Sequence, residues 1–133
     1  MNSHFRLRVP QVLVIDDDPI LVDVVRRLLS KAGVDVVTAT SATEARARSE
    51  RFAAGVFDIE LGRDCGVALA EEMLATGAVA GAVFYTGGAS EAKLLRASQL
   101  GPVVSKGEHP NRLVDEVTAL VDRVRAARSS QVG

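Results

Sequence analysis

The chain has 133 residues, 47% of them hydrophobic and 25% charged, which fits one soluble globular domain with room for a core. A net charge of −1 and a pI near 6.1 exclude a general nucleic-acid surface, which needs clustered Lys and Arg. No apolar run is long enough to span a bilayer, and Cys65 stands alone, so no internal disulfide can form.

Trp is absent and aromatics are 4%, so the core must come from Val, Leu, Ile and Ala. Met1 to Arg8 carries Arg6 and Arg8 without an apolar stretch behind them, which is not a secretory signal. A cytoplasmic location and a reduced compartment are the expectation.

Gln11 to Ile15 is a continuous apolar run, suited to a strand buried on both faces. Asp16-Asp17-Asp18-Pro19 follows. Asp18 is read as a helix cap rather than a ligand, with Pro19 at the first helical position. Ile20, Leu21, Val24, Val25, Leu28 and Leu29 recur at helical spacing, and Gly33 ends that helix. Val34 to Ala39 is a second strand.

Ser41 and Glu44 form a capping-box pattern that opens a second helix running to about Phe52. Its Arg46, Arg48 and Arg51 are read as a solvated face. A third strand, Gly55 to Asp58, leads through a loop with Gly62 and Gly66 into a helix from Gly66 to about Thr76. Leu69, Met73 and Leu74 face inward there. Cys65 is read as an ordinary loop residue.

Ala82 to Tyr85 is a fourth strand, ending at Thr86-Gly87-Gly88. Ser90 caps a fourth helix holding Leu94 and Leu95. Val103-Val104 is a short fifth strand ending at Ser105-Lys106. Pro110 opens a last helix with Leu113, Val114, Val117, Leu120, Val121 and Val124 inward. The expected layout is an N-terminal extension over 1–10, one domain over 11–127 and a flexible tail over 128–133.

Alternating strands and helices imply an α/β fold: a five-stranded parallel sheet with helices on both faces, joined by right-handed crossovers. Functional groups in such sheets gather beyond the carboxyl ends of the strands. Those ends carry Asp16 and Asp17, then Asp58, Thr86 and Lys106. Only the second strand, an expected edge strand, ends without a group of interest.

Two carboxylates about 4 Å apart repel by roughly 4 kcal/mol at an effective dielectric of 20. A divalent cation among them relieves this, and all-oxygen ligands suit Mg²⁺ or Mn²⁺ rather than Zn²⁺. Asp58 is then a candidate nucleophile for phosphoryl transfer. Lys106 adds a positive charge, and the Thr86 hydroxyl with N–H groups near Gly87 can donate to phosphoryl oxygens. His4 and His109 lack metal-ligand spacing.

With these residues in place, residues 11 to 127 resemble the receiver domain of two-component response regulators, the CheY-like family. The ordered set Val14-Ile15-Asp16-Asp17-Asp18-Pro19, Asp58, Thr86 and Lys106 carries the resemblance. It implies a flavodoxin-like fold with strand order 2-1-3-4-5. It implies that Asp58 accepts phosphoryl from a histidine kinase or histidine phosphotransfer protein. Asp16, Asp17, Asp58 and the Glu60 backbone carbonyl would hold Mg²⁺. Thr86, Gly87 and Lys106 would contact the phosphoryl group, and a downstream effector protein would read it. No nucleic-acid or membrane partner is implied. Such a domain is no enzyme beyond Mg²⁺-dependent self-phosphorylation and slow self-dephosphorylation.

Three positions depart from the family. Gly107 follows Lys106 where the family has Pro after a cis bond. A cis non-proline bond costs about 3–4 kcal/mol, so a trans bond and a differently shaped loop are expected. Val103 replaces the aromatic residue that usually moves inward on activation. Glu60 lies two residues past Asp58, where its carboxylate could repel a phosphoryl group or position water. Two other readings compete. A pseudo-receiver would bind partners regardless of phosphorylation, and a small-molecule phosphatase would use the same Asp and Mg²⁺.

Overall fold

The computed structural model describes residues 9–132. In chain order the elements are β1 (Gln11–Ile15), α1 (Pro19–Lys31), β2 (Asp35–Ala39), α2 (Ala42–Arg46), β3 (Ala54–Phe57), β4 (Glu60–Leu61), β5 (Asp64–Cys65), α3 (Gly66–Thr76), β6 (Ala82–Thr86), α4 (Glu91–Leu100), β7 (Val103–Ser105) and α5 (Pro110–Val132). The five longer-range strands make one parallel sheet in the order β2-β1-β3-β6-β7. With the small β4–β5 hairpin set aside, this is the flavodoxin-like order 2-1-3-4-5.

The alternation of side chains along each strand builds two cores. Leu13, Ile15, Phe57 and Phe84 pack with Val67, Leu69 and Met73 on one face. Val12, Val14, Val56 and Val83 pack with Val25, Leu29, Leu113, Val117 and Val121 on the other. Both faces are covered, which is why the strands read as unbroken apolar runs. Phe57 and Phe84 meet at 5.9 Å between ring centroids, across neighbouring strands.

Helix starts follow local chemistry. Asp18 caps α1, accepting from the N–H groups of Ile20 (3.0 Å) and Leu21 (3.4 Å), with Pro19 behind it. Ser41 Oγ accepts from Glu44 N–H at 3.0 Å. The Glu44 carboxylate reaches one residue further back than a capping box requires, to the N–H and hydroxyl of Thr40, both at 2.8 Å.

Four expectations need correction. The second helix does not run to Phe52 but ends after Arg46. Phe52 is buried and bridges in parallel to Val79, which forces the preceding chain to extend. Tertiary pairing overrides the helical propensity of Ala and Arg there. In α1 the buried set is Val22, Val25 and Leu29, while Ile20 and Val24 face outward. In α4 only Ala97 is fully buried; Leu94 is half-buried and Leu95 is 62% exposed. The backbone expected as a loose tail is helical as far as Val132. Residues 1–8 of the expected N-terminal extension, His4 included, lie outside the described residues.

Candidate functional site

β1 and β3 are hydrogen-bonded neighbours, and both ladders run one residue past the strand. Asp16 N–H donates to Ala39 O at 3.2 Å, and Asp58 N–H to Ile15 O at 3.1 Å. Two acids 42 positions apart are thereby placed side by side at the carboxyl edge. Asp16 and Asp58 are buried, and Asp17 is exposed beside them. One carboxylate oxygen from each of Asp16, Asp17 and Asp58 lies within 4.8 Å of the others.

β6 and β7 bring the remaining groups. Lys106 N–H donates to Thr86 O at 2.8 Å, extending that pair as well. Lys106 then sends Nζ back over the strand ends. It stands 2.9 Å from Asp16 Oδ2 and 3.2 Å from Asp58 Oδ2. Gly87 lies against the Lys106 stem, where a Cβ would sit 3.8 Å from Cδ.

Residues 12–118 match the sequence model of the response regulator receiver domain. The chain belongs to the response regulator receiver domain family. It is 31% identical over 131 residues to the transcriptional regulatory protein AruR of Pseudomonas aeruginosa, covering 92% of this chain and 53% of that protein. The chain thus spans about half the length of that relative. Among solved structures, a CheY-like receiver from Methanospirillum hungatei superposes with a TM-score of 0.78 at 24% identity, covering 90% of this chain and 99% of the other. A response regulator from Burkholderia pseudomallei, solved with a phosphorylated aspartic acid, a calcium ion and citrate, gives 0.72 at 25% identity. That match covers 92% of this chain and 74% of the other.

The receiver site is electrostatically tense. Burial raises the Asp58 carboxyl above the ordinary aspartate value, and the Asp16 carboxylate pushes it the same way. Lys106 and the N–H of Glu60 oppose this only in part. Burial works to lower the Lys106 ammonium, but its hydrogen bond to Asp16 and the charges of Asp16 and Asp58 outweigh it, and the net shift is upward. Asp16 Oδ1 also accepts from Asp18 N–H at 3.0 Å.

The donor set fits a hard divalent cation: three carboxylates, no sulfur or imidazole, open on the Asp17 side. Asp16, Asp17 and Asp58 would hold it.

The side chains of two predicted site residues bond outside the carboxylate cluster. The Thr86 hydroxyl is tied to Gly88, accepting its N–H at 3.2 Å and donating to its carbonyl at 3.3 Å. The Glu60 side chain turns to Lys93 of α4, whose Nζ lies 3.0 and 3.2 Å from its two carboxylate oxygens. Glu60 itself belongs to β4, in a hairpin missed as a loop. Gly62 turns that hairpin at φ +57°, a conformation that favours glycine, and packs beside Asp17. Gly66 is more constrained: a Cβ there would fall 1.7 Å from the Asp58 carbonyl oxygen.

The expected trans bond holds after Lys106, since every described peptide is trans. The loop is closed instead by Glu108, a residue the sequence reading missed. Ser105-x-x-Glu108 and the four-residue step from Glu108 to Arg112 are the signals that could have found it.

Proposed function

We propose that this receiver takes a phosphoryl group on Asp58 from the phosphohistidine of a histidine kinase or phosphotransfer protein. The transfer breaks the donor's P–N bond and forms a P–O bond to an Asp58 carboxylate oxygen. The imidazole nitrogen keeps the electron pair and takes up a proton. Asp16, Asp17 and Asp58, with the Glu60 backbone carbonyl, would hold Mg²⁺ (or Mn²⁺). When bound, that ion neutralises charge on the transferring oxygens.

The protein's own residues do the rest. Lys106 neutralises a further oxygen. The Thr86 hydroxyl and the Gly87 backbone, at the end of the strand beside β3, would respond to the added charge. Thr86 would exchange its Gly88 bonds for a phosphoryl oxygen, moving the loop ahead of α4. That route needs no aromatic residue at Val103. Signalling would then pass to an effector protein through contacts of α4 in the cytoplasm.

One observation carries this reading: Lys106 Nζ bridges Asp16 and Asp58 while Asp17 completes the oxygen cluster. The phosphorylated aspartic acid of the Burkholderia pseudomallei relative supports it.

The test is intact mass after incubation with Mg²⁺ and acetyl phosphate. A single phosphoryl adduct on the wild type, absent from Asp58→Ala, is expected. An equal adduct on both proteins would move the acceptor elsewhere. No adduct with either acetyl phosphate or a phosphohistidine donor would leave the pseudo-receiver reading.

A further inference from the structure

Lys106 reaches two carboxylates from the turn that follows β7. Four hydrogen bonds hold this turn. Gly107 N–H donates to Ser105 Oγ at 3.1 Å, and Glu108 N–H to the Ser105 carbonyl at 3.0 Å. The Glu108 carboxylate then reaches back to Ser105 N–H at 2.7 Å. Its other oxygen accepts from Arg112 Nη1 of α5, also at 2.7 Å. Glu108 therefore ties the end of β7 to the first turn of α5, with Lys106 inside the loop so closed. The bond to Ser105 N–H, then the one to Arg112, holds the Glu108 carboxyl below its usual value.

We propose that Glu108, braced by Arg112, is a positioning residue that aims Lys106 Nζ at Asp16 and Asp58. It replaces with a charged clamp the rigidity a proline would supply. This rests on the phosphoacceptor reading for its consequence, but not for its geometry. A loosened Lys106 has two opposite effects. Its ammonium no longer competes with a cation for Asp16 and Asp58, so Mg²⁺ binds more tightly. It also no longer meets the incoming phosphoryl oxygens, so phosphorylation slows. A purely structural lesion would weaken both.

The experiment measures Mg²⁺ affinity by calorimetry and phosphoryl uptake from acetyl phosphate at saturating Mg²⁺ by intact mass. Wild type, Glu108→Ala, Glu108→Gln, Lys106→Ala and the Lys106→Ala/Glu108→Ala double variant are compared. In Glu108→Ala, Mg²⁺ affinity should rise about twofold or more as the competing charge withdraws. Uptake should fall about tenfold, as displacement of a group contacting the reacting atoms does. Glu108→Gln keeps an acceptor for Ser105 N–H but loses the charge that Arg112 braces, and should recover only part of the uptake. In the Lys106→Ala background, Glu108→Ala should change neither quantity.

Equal effects of Glu108→Ala with and without Lys106, or weakened Mg²⁺ binding and uptake together, would overturn the proposal. Wild-type-like behaviour of Glu108→Ala would do the same. If the wild type takes no phosphoryl group, the phosphoacceptor reading fails, and the Mg²⁺ affinities alone still decide the role of Glu108.

Discussion

Nζ of Lys106 lies 3.2 Å from Oδ2 of Asp58, across a sequence separation of 48 residues. The same nitrogen is closer still to Asp16, so one ammonium offsets two buried carboxylates. A divalent cation held by Asp16 and Asp58 would share those carboxylates with it.

Removing it should therefore divide two properties. In Lys106→Met, Mg²⁺ should bind more tightly than in the wild type, because a competing cation is gone. Phosphoryl uptake should fall by about 10²-fold, the scale seen when one preorganised donor at a reacting oxygen is lost. Calorimetry and intact-mass time courses check the two separately. Unchanged uptake would remove Lys106 from the reaction.

The raised Asp58 carboxyl makes a pH prediction with a definite sign. The folded chain holds this proton more readily than the unfolded chain does. Ionised Asp58 thus costs stability, and the cost grows as pH rises from the ordinary aspartate value through the raised one. In EDTA, Asp58→Asn should gain stability relative to wild type across that window, measured by urea unfolding. Mg²⁺ needs the ionised form, so its affinity should increase across the same window. Parallel unfolding curves for the two proteins would contradict the assignment.

Gly66 should tolerate no side chain. A Cβ at 1.7 Å from the Asp58 carbonyl oxygen cannot be absorbed by rotating a side chain, since the obstacle is backbone. Gly66→Ala should lose about 3 kcal/mol or more. Urea midpoints give the number, and a loss under about 1 kcal/mol would show that the loop yields easily.

Asp18 tests the division between cap and ligand. It accepts from Ile20 and Leu21 N–H and lies outside the three-carboxylate cluster. Asp18→Ala should cost about 1 kcal/mol of stability. Its Mg²⁺ affinity should stay within about twofold of wild type, because Asp16, Asp17 and Asp58 are untouched. A large loss of Mg²⁺ binding would make Asp18 a ligand.

What the sequence determined was what local chemistry can encode. Unbroken apolar runs mark strands covered on both faces, and Asp18, Ser41 and Ser90 mark helix starts. A polar residue at the end of every strand but the second marks the working edge, because a parallel sheet has only one carboxyl edge. Strand ends were legible, so Asp16, Asp17, Asp58, Thr86 and Lys106 could be named together.

The tertiary structure decided what depends on partners distant in sequence. Phe52 leaves a helical pattern to pair with Val79. Leu95 stays exposed because α4 contributes only Ala97 fully to the core. Glu60, expected beside the site, is drawn off by Lys93, 33 residues away. Thr86 spends its hydroxyl on Gly88, and Glu108 closes the lysine loop through Ser105 and Arg112. Backbone pattern sets where a side chain starts. Where its polar end settles is a competition among charges and donors that only the folded chain brings within reach.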